Sequence, residues 1–197
     1  MKKNYCFVKT IVQMESYKEV EEKNGITFAH FGAVKADGSD AYECAETSMR
    51  SEDFNLDEAK EAYEEWKASM DKSNLAYAKK QKLADIDAYD QSDAVNSCTL
   101  NGKQRWLDVS LRQSLAYTAK VRKEKGHDNL TVWFGTESEV IPIEQALDML
   151  NQLEVYAKQT NNVTHEHKAE VGSMESLVDV EDFDVSKDYP SKLEYIF

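Results

Sequence analysis

Only two prolines and seven glycines occur in 197 residues, so this chain has few obligatory breaks. No Gly-rich run resembles a phosphate cradle, and with so few glycines none could be spared for one. Cysteine is equally scarce. Cys6, Cys44 and Cys98 are far apart, odd in number and form no Cys-x-x-Cys pair, which excludes a zinc knuckle and a dithiol redox motif. They are expected to be small buried hydrophobes in a reducing compartment. No apolar run is long enough to cross a bilayer, and the basic start Met1-Lys2-Lys3 leads into Asn4-Tyr5-Cys6, not into an apolar signal core. The expectation is a soluble protein made in the cytoplasm, without a membrane partner.

Positive charge is also short. Lys and Arg number 24 against 37 Asp and Glu, for a net charge of −13 and a pI near 4.8. A protein that tracks phosphates needs a cationic surface. The one basic cluster, Lys120, Arg122, Lys123 and Lys125, falls at the end of a predicted helix, where cations offset the helix dipole. No direct nucleic-acid partner is expected.

What is present is a hydrophobic content of 41% with 10% aromatics, enough for a packed core. Residues 4–14 alternate as a strand with apolar residues in both rows, as if covered on two faces. Residues 16–23 are charged, Asn24-Gly25 is a turn signal, and Ile26-Thr27-Phe28-Ala29-His30-Phe31 reads as a second strand. Asp37-Gly38 is a second turn and residues 41–45 a third strand. Three strands are marginal alone, so this antiparallel meander is expected to pack on the next helix or on another chain.

Asn55 suits an N-cap, with Glu58 placed to complete a capping box and Asp57 at the positive end of the dipole. From Leu56 to about Ala88 there is no Gly or Pro. Leu56, Ala59, Tyr63, Trp66, Met70, Ser73 and Tyr77 step by threes and fours, until Lys80 interrupts and Leu83 and Ile86 continue out of phase. Two readings stay open: a helix that self-associates, or one docked on its own sheet. Tyr63, Trp66, Met70 and Tyr77 are the candidate interface residues, since aromatics are favoured at interface centres.

Asn101-Gly102 is the strongest hairpin signal in the chain, flanked by residues 95–100 and 103–107. Asp108 caps a helix to about Lys125, with Leu111, Leu115, Thr118, Ala119 and Arg122 on one side, and Gly126 ends it. Thr131-Val132-Trp133-Phe134 alternates, Gly135-Thr136-Glu137-Ser138 is turn chemistry, and Glu139-Val140-Ile141 returns. Pro142 opens a helix whose apolar face is Ile143, Ala146, Leu147, Leu150, Leu153 and Ala157. The hairpin is expected to bury Trp133 with Leu147 and Leu150. The helix is expected to bend or break near Asn161-Asn162, with a second segment from Thr164 to about Val171. One short helix is expected around 180–183. The apolar tail from Tyr189 to Phe197 would be a liability unless it docks as a strand or in a groove.

The string Asp85, Asp87, Asp90, Asp93 fails the calcium-loop template, because Tyr89 takes a ligand position and the Gly is missing. His165 and His167 are two apart, so on a helix they point about 200° from one another and cannot share a metal; both are expected at the surface or its boundary. His30 is expected as a half-buried strand neighbour. No Gly-x-Ser-x-Gly occurs and Cys98 has no local histidine. The expectation is a protein without catalytic residues, metal or cofactor.

One set of matches has an order to it. Ile86-Asp87-Ala88-Tyr89-Asp90, Ser92, Ala94-Val95-Asn96-Ser97, Leu100-Asn101-Gly102 and Trp106-Leu107-Asp108 come first. The helix Met149-Leu150-Asn151-Gln152-Leu153-Glu154-Val155-Tyr156-Ala157 follows, then Asn162-Val163-Thr164, His167-Lys168-Ala169 and Val171, and finally Tyr189-Pro190-Ser191-Lys192-Leu193. This order resembles a phage- and prophage-associated domain of unknown function, common in gut Bacteroides phages and found in tail-fibre-related and virion-region proteins. The resemblance covers slightly over half the chain. Where the family's ending carries a second tyrosine and a glycine before Tyr-Pro, this chain has Phe183-Asp184-Val185-Ser186-Lys187-Asp188. The family brings no catalytic residues. It implies a virion structural or adaptor protein, attached to capsid or fibre, with other virion proteins as partners and a homo-oligomeric state. The alternative it leaves is a tail-fibre assembly chaperone absent from the mature particle.

The expected fold is α+β: an N-terminal β module (1–54), a long connecting helix (55–89) and a C-terminal module of two β-hairpins packed on helices (90–197).

Overall fold

Asn24 and Gly25 both take positive φ, 55° and 75°, and so close a tight hairpin between β2 (Val20–Lys23) and β3 (Ile26–Lys35). This is part of a computed structural model that describes residues 3–197. β1 (Val8–Gln13) and β4 (Ala41–Arg50) complete an antiparallel sheet of order β1-β4-β3-β2. The fold is mixed α+β, as the sequence implied, but the N-terminal sheet has four strands, not three. The extra one is the charged stretch Val20-Glu21-Glu22-Lys23, whose polarity hid it: an edge strand with solvent on both sides needs no apolar row. The first strand also begins later than residue 4 and is not covered on two faces, since Val8 and Ile11 are exposed.

The chain divides into two compact units, Met1–Asn74 and Leu75–Phe197, and the helix α1 (Leu56–Asp90) contributes its first half to one and its second half to the other. In the first unit, Asn55 caps α1 through its Oδ1, which accepts from the N–H groups of Asp57 at 3.0 Å and Glu58 at 3.1 Å. The reciprocal half of the capping box is absent. The Asn55 N–H goes to the Tyr5 hydroxyl at 3.0 Å, while Glu58 lies 4.0 Å from the Lys3 ammonium. Ala59, fully buried, lets α1 approach the sheet closely, and Tyr5, Ala29 and Phe31 fill the core around it.

In the second unit, Asn101 and Gly102 again take positive φ and join β5 (Cys98–Leu100) to β6 (Lys103–Arg105). The tail docks: β9 (Glu194–Tyr195) adds to β5 in parallel, with Asn101 donating its N–H to the Tyr195 carbonyl at 2.9 Å. Asp108 caps α2 (Val109–Glu124) by accepting from Leu111 N–H at 2.8 Å, and Gly126, at φ 76°, ends it. The buried face of α2 keeps Leu115 and Ala119 of the expected row but joins them to Arg112 and Ala116, leaving Leu111, Thr118 and Arg122 exposed. Arg112 displaces Leu111 because its charge is satisfied there: Nη1 donates to the Leu107 carbonyl at 2.6 Å, Nε to Glu154 at 2.9 Å, and the guanidinium lies 5.3 Å over the Trp106 ring.

β7 (Asn129–Phe134) and β8 (Glu137–Pro142) form a hairpin whose loop is Gly135-Thr136 alone, and α3 (Ile143–Ser173) follows directly from Pro142. The hairpin buries its other face from the one expected. Leu130 and Val132 join Leu150 and Leu153 in the core, while Trp133 is 62% exposed. α3 runs unbroken through Asn161-Asn162, since Thr160 and Thr164 on its buried side keep the inward face continuous to Val171. The short helix α4 (Leu177–Glu181) starts earlier than expected, at the Ser176 cap. α4, α1 and α3 close a second cluster around Ile86, Val171, Val180 and Phe183.

No helix among the described residues is long and apolar enough to cross a membrane. Cys44 and Cys98 are buried thiols as expected, but Cys6 is exposed, lying before β1 where nothing covers it.

Candidate functional site

A concave, partly apolar feature of the first unit starts at a glycine. β3 shifts register between Phe31 and Val34: Phe31 faces Ala45 and Val34 faces Glu43, so three steps on β3 match two on β4. Gly32, at φ 62°, absorbs the extra residue. The consequence is that Phe31 and Val34 emerge on the same face of the sheet although they are three residues apart. On β1 the same register places Lys9 opposite Ala45 and Ile11 opposite Glu43, on that face too.

Beyond the first turns of α1 this face is uncovered. Phe31 stacks on Tyr63 with centroids 5.1 Å apart and planes at 19°, and Tyr63 on Trp66 at 6.0 Å and 29°. Phe7 packs edge-on and tilted against all three rings. The Tyr63 and Trp66 rings form one wall of a groove of about 710 Å³, with Ile11, Val34 and Ala45 on its floor and Lys9 and Glu43 supplying charge. Ile11 is 66% and Val34 68% exposed, so two β-branched side chains stand in solvent beside half-buried aromatics. The Tyr63 hydroxyl lies over Gly32, where any side chain would collide with it. On the far side of Trp66 a second depression, of about 740 Å³, is lined by Lys3, Tyr5, Glu58, Glu61 and Glu65.

The opposite face of the sheet holds His30, which is fully buried, not half-buried as expected. Tyr17 folds back over it, with ring centroids 5.9 Å apart. Nδ1 donates to the Lys18 carbonyl at 2.6 Å and Nε2 lies 3.1 Å from Glu46 Oε2, so both ring nitrogens face acceptors. His30 thus ties the loop before β2 to β4. Cys44 shares the sheet, and burial pushes its thiol up, away from the nucleophilic form, with Glu46 adding to the effect.

Of the residues singled out in sequence, Tyr63 and Trp66 meet in the groove. Met70 is half-buried further along α1 and does not line it, and Tyr77, 66% exposed, belongs to the second unit. The two histidines of α3 part company: His165 is exposed, as expected, whereas His167 is buried, correcting the expectation for it, because Phe183 and Tyr189 close over its ring. Asp90 accepts from the Thr164 hydroxyl at 2.6 Å and Asp87 pairs with Lys168. Among the described residues no three His, Cys, Asp or Glu side chains are placed to hold a metal ion. Sequence reasoning missed Gly32, Val34 and Ile11. The available signal was an isolated glycine inside a strand pattern, which marks a bulge.

No family model, curated protein or solved structure matches this chain.

Proposed function

We propose that this protein is a non-enzymatic structural or adaptor component of a bacteriophage particle, attached to a neighbouring capsid or fibre protein through the groove of its N-terminal unit. The groove carries the reading. Exposed Ile11 and Val34 beside the half-buried Tyr63 and Trp66 make a surface suited to burying a partner's apolar side chains. The phage setting comes from the ordered matches between Ile86 and Leu193. The exposed Tyr77 on α1 is the proposed self-contact of a homo-oligomer.

Quantitative mass spectrometry of purified particles, and of the lysate that produced them, tests this. Stoichiometric copies in the particle support it. Copies found in the lysate and missing from the particle would assign the chain to fibre assembly as a chaperone instead.

A further inference from the structure

We infer that the groove receives an extended segment of a partner protein, apolar and then basic, added as a fifth strand on the free edge of β1. This rests on the reading of the groove as the contact surface and goes on to name what enters it.

The two edges of the sheet are unlike. β2 reads Val-Glu-Glu-Lys, an edge blunted by charge. β1 reads Val-Lys-Thr-Ile-Val-Gln, four of six residues β-branched, with no proline. Its pairing with β4 runs without a register shift from Val8 opposite Glu46 to Gln13 opposite Ala41. The side away from β4 has no paired strand among the described residues. Such an edge offers a row of backbone donors and acceptors to an incoming strand. Side chains of that strand would alternate between the two faces of the sheet. Those on the α1 side enter the groove beside Ile11 and Val34, against the Tyr63 and Trp66 rings.

Charge selects the rest of the segment. Inside the groove Lys9 and Glu43 offset one another. Past Trp66, the adjoining depression is lined among the described residues by Glu58, Glu61 and Glu65 together with Lys3, in a chain of net charge −13. A segment running along β1 toward Val8 reaches this wall after its apolar residues are seated. Lysine or arginine there meets carboxylates, and the Trp66 ring offers a cation-accepting face.

The test uses the full chain and synthetic peptides of alternating valine and threonine, ended by a lysine run, by a glutamate run, or by the lysine run with alternate amides methylated. Titration calorimetry is expected to show binding of the lysine-ended peptide, weakened by salt, at least roughly tenfold weaker binding of the glutamate-ended one, and none of the methylated one. Ile11→Lys and Trp66→Ala should each weaken binding roughly tenfold or more. Ile11 is exposed, so circular dichroism of Ile11→Lys should stay as in the parent chain. Equal binding of the two charged peptides, or of the methylated one, overturns the proposal. So does absence of binding together with a dimer that Ile11→Lys dissociates in sedimentation, since the edge then belongs to a second copy; the groove remains a contact surface in that case. If neither variant alters peptide binding, self-association or incorporation into particles, both readings fall.

Discussion

The Tyr5 hydroxyl holds both backbone groups of Asn55: it donates to the Asn55 carbonyl at 3.0 Å and accepts the Asn55 N–H at 3.0 Å. The residue that caps α1 is thereby tied to a segment fifty positions earlier, and the start of the helix is fixed to the strand end on which it packs. Tyr5→Phe keeps the ring's contact with Phe54 and removes only the hydroxyl. It should cost about 1–2 kcal/mol, the scale of a lost pair of hydrogen bonds that strands a backbone N–H. Asn55→Ala should cost about 1 kcal/mol from the cap alone. The two effects should be non-additive in chemical denaturation, because both act on the same helix turn.

Gly32 should tolerate no side chain. Its φ of 62° is strained for other residues, and the Tyr63 ring that blocks a Cβ is clamped between Phe31 and Trp66 and cannot swing clear. Gly32→Ala is expected to destabilise the N-terminal unit by about 1–3 kcal/mol. Placing the same change in a Tyr63→Phe background should recover part of that loss by removing the nearest atom. Thermal unfolding of the single and double variants reads this directly.

The β7–β8 hairpin offers a test of which face is inward. Val132→Ala should cost about 1–3 kcal/mol, as the side chain is buried among Leu130, Leu150 and Leu153. Trp133→Thr, one position on, should change stability by no more than about 0.5 kcal/mol. Denaturant midpoints of the two variants would be reversed if the hairpin packed by its opposite face.

His167 gives a pH dependence with a definite sign. The ring is 2% exposed, neither nitrogen has a hydrogen-bond partner among the described residues, and the edges of Phe183 and Tyr189 meet it at 5.2 and 5.4 Å. Burial lowers its pKa from the ordinary 6.5, and Lys187 adds to this, against opposing pulls from Asp188, Glu170 and Glu166. The unfolded chain therefore binds the proton more readily than the folded one. The stability this group contributes is complete above about pH 6.5, begins to be lost as pH falls below that, and goes on falling until the depressed folded value is passed. His167→Phe should flatten stability against pH in that window while leaving the acidic limb set by carboxylates. Equilibrium unfolding at a series of pH values measures it.

Turns and caps were legible because their chemistry is local. Asn24-Gly25 and Asn101-Gly102 each take the paired positive φ their side chains permit, and Asn55, Asp108 and Gly126 bound helices with atoms a few residues away. Fold class followed from the same signals. Where the reading failed, a distant partner had intervened. Glu58 loses its capping role to Tyr5, Leu111 yields the inner face of α2 to an arginine satisfied by Leu107 and Glu154, and β2 exists because β3 is there to pair with it.

The groove belongs to that second class. Tyr63 and Trp66 stood out in sequence by their spacing, but the floor beneath them needs β1, β3 and β4 in register and a bulge at Gly32 to bring Val34 onto the face that carries Phe31. By itself the sequence determined the tight turns and the helix ends at Asn55, Asp108 and Gly126, since backbone geometry there is dictated by neighbours along the chain. Only the tertiary structure decided which side of each element is covered, burying His167 and Arg112 and leaving Trp133, Ile11 and Val34 in water. A face is buried by what packs on it, and those residues lie far off in the sequence.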